Sequence, residues 1–322
     1  MKKTIMAAAL AATFAVGANA QEPLTAPGPA GDLAGTLIRP AEGGAVVIII
    51  PGSGPTDRDG NNPGGITASS YRLLAEALHA RGIGSLRIDK RGMFGSKAAI
   101  ADPNAVTYAD YAQDVARWVE AARRASGNDC VWVAGHSEGG SIALLAAQSP
   151  QGICGVILLA APANRFSTIL RKQLSANPAN APILPDALTA IDSFEKGERV
   201  DVANFHPALQ AMFAPAVQGF LIDAMRYDPA DLAAKLAVPL LVIQGEADIQ
   251  VPRENGDALA KAQPDARYVV LPAMNHVLKA VPAGDMQANL AAYADPSRPV
   301  MPEIVDAIAG FVTAPHAQAT KE

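Results

Sequence analysis

The chain has 322 residues, of which 50% are hydrophobic and 18% charged, and its formal net charge is −5. That length admits one large α/β domain or two small ones. The acidic balance, with no basic block to follow a phosphate backbone, argues against nucleic acid as a partner.

In chain order, Lys2 and Lys3 precede an apolar run from Ile5 to Val16, and Ala18-Asn19-Ala20 supplies a small-x-small cleavage pattern. Residues 1–20 therefore read as a signal peptide. The run is too short to span a bilayer comfortably, no cysteine follows the cleavage site for lipid attachment, and no later stretch is long and apolar enough to cross a membrane. The expectation is a periplasmic or secreted protein with no stable membrane anchor after cleavage. Gln21 to Ala30, rich in Pro and Gly, reads as an extended lead-in. Gly35–Arg39 and Ala45–Ile50 read as a first pair of strands, the second buried by its Val-Val-Ile-Ile-Ile run.

Helical spacing then predicts a helix over Ser69–Ala80, a strand over Ser85–Ile88 and a second amphipathic helix over Tyr108–Ala125. Strands follow at Val131 onward and at Cys154–Leu159. From about 164 to 235 the alternation pauses, and helical segments broken by Pro form a stretch too long for a structureless loop. Strands at Val238–Gln244 and Tyr268–Leu271 enclose a helix at Glu254–Ala262, and a last helix covers Pro302–Val312. Strands alternating with helices imply a mostly parallel central sheet covered by helices on both faces, here with a helical lid inserted at about 164–235.

The Val131 strand ends at Gly135-His136-Ser137-Glu138-Gly139, the G-x-S-x-G of a nucleophile elbow. Ser137 has to adopt a strained backbone to stand above the sheet, and side chains two positions either side of it would meet the returning chain. A serine hydroxyl needs an adjacent base oriented by a third group, and in this arrangement the order along the chain is nucleophile, acid, histidine. Of the five histidines, His79 and His136 precede Ser137, His206 falls in the helical insertion and His316 in the polar tail. His276, directly after the last predicted strand, is the best base. Asp248 follows the Val238 strand at the sheet edge where such folds hold their sites, with Glu246 and Asp265 as rival carboxylates. For the oxyanion, the elbow supplies the backbone N–H of Glu138, and the Gly52-Ser53-Gly54 loop supplies a second donor, Ser53, with Gly54 as the fallback. No metal or cofactor is required.

Cys130 and Cys154 precede or begin successive strands. If those strands are parallel neighbours, the two thiols lie at the same end, within bridging distance. A disulfide would close a loop of about 23 residues and contribute ~3 kcal/mol. The alternative is two free buried thiols, and neither cysteine is spaced for a metal or redox motif.

Taken together, Pro51-Gly52-Ser53-Gly54-Pro55-Thr56-Asp57-Arg58-Asp59-Gly60-Asn61, Asp89-Lys90-Arg91-Gly92, Gly135-His136-Ser137-Glu138-Gly139, Gly245-Glu246-Ala247-Asp248 and Met274-Asn275-His276-Val277-Leu278-Lys279 resemble the serine esterases of the bacterial α/β-hydrolases. The resemblance runs from about residue 32 to 312. It implies an α/β-hydrolase domain over 21–322 that cleaves small-molecule carboxylic esters, with Ser137, Asp248 and His276 as the triad. Members of that fold also include peptidases and thioesterases, so the substrate does not carry over. A non-catalytic binding module on the same scaffold is the reading from another class. Two departures stand out. Pro51 replaces a histidine common at the early loop, and Arg91-Gly92-Met93-Phe94-Gly95-Ser96 puts Phe94 where a glycine is common, where it is expected to reshape one wall of the acyl pocket. The charged residues Asp57, Arg58, Asp59, Asp89, Lys90 and Arg91 are expected to brace the oxyanion loop rather than to read substrate charge.

Overall fold

The computed structural model of the chain describes residues 21–315. The signal peptide read over 1–20 and the histidine at 316 lie outside the described residues. In chain order the elements are β1 (Gln21–Ala26), β2 (Leu33–Ile38), β3 (Val46–Ile50), α1 (Ser70–His79), β4 (Gly84–Ile88), α2 (Tyr108–Ser126), β5 (Val131–His136), α3 (Glu138–Ala146) and β6 (Ile153–Leu159). Five helices follow without a strand: α4 (Phe166–Ala176), α5 (Leu184–Glu195), α6 (Pro207–Met212), α7 (Gln218–Ala224) and α8 (Pro229–Ala234). The chain closes with β7 (Leu240–Gly245), α9 (Glu254–Ala262), β8 (Arg267–Leu271), α10 (Met286–Ala292) and α11 (Pro302–Val312).

The strands form one eight-stranded sheet in the order β1-β2-β4-β3-β5-β6-β7-β8. From β4 to β8 every pairing is parallel, while β1–β2 and β2–β4 are antiparallel. The strands at Leu33 and Val46 are therefore not paired with each other, because β4 lies between them. Gln21–Ala26, expected as a lead-in, is an edge strand: its backbone pairs in register with β2 from Gln21↔Ile38 to Ala26↔Leu33.

Burial on both faces explains the continuous apolar run of β3. Val46, Ile48 and Ile50 face one core with Val115, Trp118 and Val119 of α2, while Val47 and Ile49 face the other with Leu74 and Leu78 of α1 and Ile304 and Ile308 of α11. Successive side chains of a strand point to opposite faces, so one run feeds both layers. The insertion between β6 and β7 has an apolar core of its own, in which Leu170, Ile191, Phe194, Phe213, Leu221 and Met225 are buried. Phe194 and Phe213 meet edge to face at 5.4 Å between ring centroids. Cys130 and Cys154 flank the start of the β5–β6 pair, and their Sγ atoms are joined at 1.96 Å with 5.2 Å between Cα atoms.

Candidate active site

Ser137 stands between β5 and α3 with φ 53° and ψ −125°, a conformation that L-residues tolerate only where surrounding structure forces it. That structure is the pair of glycines around it. A Cβ on Gly135 would lie 2.2 Å from the Gly139 carbonyl oxygen, and one on Gly139 would lie 2.5 Å from the carbonyl oxygen of Ile50. The strand and the helix approach one another closely enough to leave no room for any side chain there, and the serine is lifted at the carboxyl end of the sheet.

His276 lies in the loop after β8. Its Nδ1 is 2.8 Å from Asp248 Oδ2, in the loop after β7. The other carboxylate oxygen, Oδ1, accepts the backbone N–H groups of Gln250 at 2.8 Å and Val251 at 2.9 Å. The carboxylate is thus fixed before it meets the imidazole, and both side chains are buried. With its Nδ1 proton donated to Asp248, the imidazole is left with an Nε2 lone pair, the form a general base requires. Of the rival carboxylates, Glu246 is exposed and paired with Arg253. His276 and Ser137 line one cavity of about 110 Å³, with Gly52, Ser53 and Tyr71. The loop carrying His276 is held from inside: Lys279 Nζ donates to the carbonyls of Ala68, at 2.7 Å, and Asp295, and Asn275 exchanges hydrogen bonds with the Lys279 backbone.

A second cavity of about 180 Å³ shares Ser53 and Ser137 with the first and is lined by Glu138 as well. The N–H of Glu138 belongs to the first residue of α3, one of the helix-terminal donors that no intrahelical carbonyl satisfies. The N–H of Ser53 has no acceptor among the described residues. Two residues whose backbone N–H groups lack a partner of this kind thus line the cavity with the serine, and an oxyanion site needs two such donors. The walls beyond them come largely from the insertion and from α2: Tyr108, Asn164, Phe166, Ile169, Gln173 and Tyr227. Tyr108 and Tyr227 stack with ring planes 5° apart and centroids at 6.1 Å. Burial, together with the neighbouring Glu138 carboxylate, pushes the Tyr108 hydroxyl well above its ordinary pKa.

Phe94 does not reach this cavity, which corrects the expectation drawn from its place in the Arg91–Ser96 pattern. It opens a short 3₁₀ turn, Phe94–Ala99, at φ 43°. Its ring, 42% exposed, borders an open surface depression with Gln21, Arg58 and Arg87 instead. The charged residues around it pair with one another: Arg58 with Asp89, Arg87 with Asp59, and Arg91 with Asp110 and Asp114. Asp57 accepts the backbone N–H groups of Asp59 and Asn61. Of the other described histidines, His79 Nδ1 lies 3.2 Å from the carbonyl oxygen of Arg39 and His206 caps α6.

Two buried residues beside the site escape sequence reasoning. Tyr71 of α1 accepts the Gly52 N–H at 3.1 Å and bonds His136 Nδ1 at 2.7 Å. His136 Nε2 in turn lies 2.8 Å from the carbonyl oxygen of His276. Since a carbonyl only accepts, Nε2 carries the proton and Nδ1 accepts from the tyrosine. Burial and the charge of His276 push the His136 pKa down to about 3, so the ring stays neutral. The only signal in the sequence is the proximity of His136 to the serine, which says nothing of its partners.

The family described as serine aminopeptidase, S33, matches residues 64–279. Among curated proteins, the chain is 26% identical over 237 residues to the esterase EstD of Thermotoga maritima, covering 72% of this chain and 54% of that one. The chain thus spans about half the length of the curated relative it matches. Among solved structures it is similar to Est1E of Butyrivibrio proteoclasticus with ferulic acid bound, at 20% identity and a TM-score of 0.53 over 86% of this chain and 96% of the other. The α/β hydrolase GrgF of Penicillium sp. sh18 is similar at 18% identity and a TM-score of 0.57, covering 84% and 96% of the two chains. These likenesses identify the architecture as the α/β-hydrolase fold.

Proposed function

The chain belongs to the family described as serine aminopeptidase, S33, and from that membership and the site's geometry we propose that it is an exported serine hydrolase that cleaves carboxylic esters with short or medium acyl groups. The observation that carries this reading is the Asp248–His276 pair at 2.8 Å, beside a serine held at positive φ on the same cavity. His276 takes the Ser137 proton as the hydroxyl attacks the ester carbonyl. Asp248 stabilises the imidazolium that forms, and the Ser53 and Glu138 N–H groups take up the charge on the carbonyl oxygen. His276 then protonates the leaving alcohol, and water, deprotonated by the same ring, hydrolyses the acyl-enzyme.

The leaving group must depart within reach of His276, so the alcohol occupies the cavity that His276 lines and the acyl group occupies the one beneath the helical insertion. At about 180 Å³ the acyl cavity is smaller than the ~300 Å³ at which pockets for drug-sized ligands begin. The insertion, residues 164–235, acts as the lid. Export is supported by the Cys130–Cys154 bond, which suits an oxidising compartment.

The family description raises an aminopeptidase reading, and the lining of the two cavities counts against it. Their only acidic member among the described residues is Glu138, which is already paired with Lys90 at 3.1 Å. A substrate's α-ammonium group would find no free carboxylate. Turnover of 4-nitrophenyl butyrate against a panel of aminoacyl 4-nitroanilides decides the matter. The ester is expected to turn over, with loss of activity on fluorophosphonate labelling of Ser137. Faster anilide cleavage, or no labelling of the folded protein, would overturn the proposal.

A further inference from the structure

The Gly52–Ser53 peptide that offers the second oxyanion donor is gripped by a charge. Lys90 Nζ donates to the Gly52 carbonyl oxygen at 2.6 Å and to Glu138 Oε1 at 3.1 Å. Its side chain is 2% exposed, and its ammonium lies over the Tyr111 ring, 5.4 Å from the centroid. A trans peptide points its C=O and its N–H in opposite directions. Holding the Gly52 carbonyl toward Lys90 therefore turns the Ser53 N–H away from Lys90, and Ser53 lines both cavities that Ser137 lines.

Residue 52 cannot supply that constraint itself. A Cβ there would lie 3.3 Å from both His136 Nδ1 and Ser137 Cβ, so the position favours glycine, and glycine leaves the peptide free to rotate. The loop is pinned on its other side by Tyr71, through the Gly52 N–H, but that bond fixes the preceding peptide, not the one that carries the donor. The remaining partner of Lys90 is the side chain of Glu138, the residue whose own N–H is the other donor. One ammonium thus bridges the two halves of the oxyanion site, which lie on the loop after β3 and at the start of α3.

We infer that Lys90 is a positioning residue for ester hydrolysis, holding the Gly52–Ser53 peptide in the orientation that receives the oxyanion. Its charge polarises that peptide and makes the N–H a stronger donor. The inference rests on the hydrolase reading above and is tested separately from it.

The test compares an ester with its thionoester, in which the carbonyl oxygen is replaced by sulfur, a weak hydrogen-bond acceptor. Wild-type protein is expected to prefer the oxygen ester strongly. Lys90→Met combined with Glu138→Gln removes the clamp without leaving a buried charge unpaired. In that variant kcat for the oxygen ester is expected to fall about 10–100-fold, short of the ~10²–10³-fold seen when a donor is removed outright. KM should change little, and the thionoester rate should fall much less, so that the preference collapses. Lys90→Gln, an uncharged donor that still satisfies Glu138, serves if the double variant does not fold, and it should lower the preference by a smaller factor. Equal losses on both substrates, or an unchanged preference in a folded variant, would overturn the inference. Wild-type protein inert toward both substrates would instead defeat the hydrolase reading.

Discussion

Replacing Cys130 and Cys154 together by serine should cost stability and leave chemistry intact. The two cysteines are separated by 24 positions, and the chain-entropy relation for a loop of that size gives ~3.4 kcal/mol. In a domain of roughly 300 residues, at about 2.1 cal/mol/K of unfolding entropy per residue, that corresponds to a fall in Tm of roughly 5 °C. The bond lies at the amino end of β5, while Ser137 follows its carboxyl end. Between them run the six residues of Val131–His136, or about 20 Å of strand. The expected outcome is a lower melting temperature by calorimetry, matched by the oxidised wild type under reductant, with kcat for 4-nitrophenyl butyrate within about two-fold because the site's contacts are untouched. A folded double variant with a large loss of kcat, or one that melts with the wild type, would refute the reasoning.

Asp248→Asn should lower kcat by about 10³–10⁴-fold, because an amide can hold the imidazole in the wrong tautomer, whereas Glu246→Gln should change it little; steady-state kinetics on one ester checks both. His136 is depressed from 6.5 to about 3, so on acidification the unfolded chain takes up its proton before the folded one. Its contribution to stability is complete above pH 6.5 and is lost as the pH falls toward 3, on the order of 5 kcal/mol in all. Urea midpoints at pH 7.5 and 4.5 should accordingly differ less in His136→Gln than in wild type, and an equal difference would exclude the effect. Phe166→Ala should enlarge the acyl cavity and move the preference of a 4-nitrophenyl ester series toward longer chains, while an unshifted optimum would place the acyl group elsewhere.

What could be read from the sequence was whatever is local in the chain. The turn at Ser137 was legible because two glycines and a serine at fixed spacing are a statement about sterics, and Asp248 and His276 because each directly follows an apolar strand. Cys130 and Cys154 were legible as a pair through the parallel strands they adjoin. The strand Gln21–Ala26 was not, because its pattern includes Pro23 and only Ala26 of its six residues is fully buried; pairing with β2 gives it its form. Helix α10 was missed as well, since Met286 and Leu290 lie more than half exposed and leave little amphipathic signal. The contacts of Lys90, Tyr71 and His136 with the oxyanion loop and with the carbonyl of His276 join residues up to 140 positions apart, and no local pattern announces such bonds.

Four of the five helices between β6 and β7, α4 to α7, enclose an apolar cluster distinct from those of the sheet, whereas Ala233 of α8 belongs to the sheet core. Substitutions inside that bundle can remodel the roof over Ser137 while the strands that hold the serine, the carboxylate and the imidazole keep their register. On the function proposed above, a change in the groups that roof the cavity and a change in the groups that do the chemistry would then fall in different apolar clusters, so that one can be altered without repacking the other.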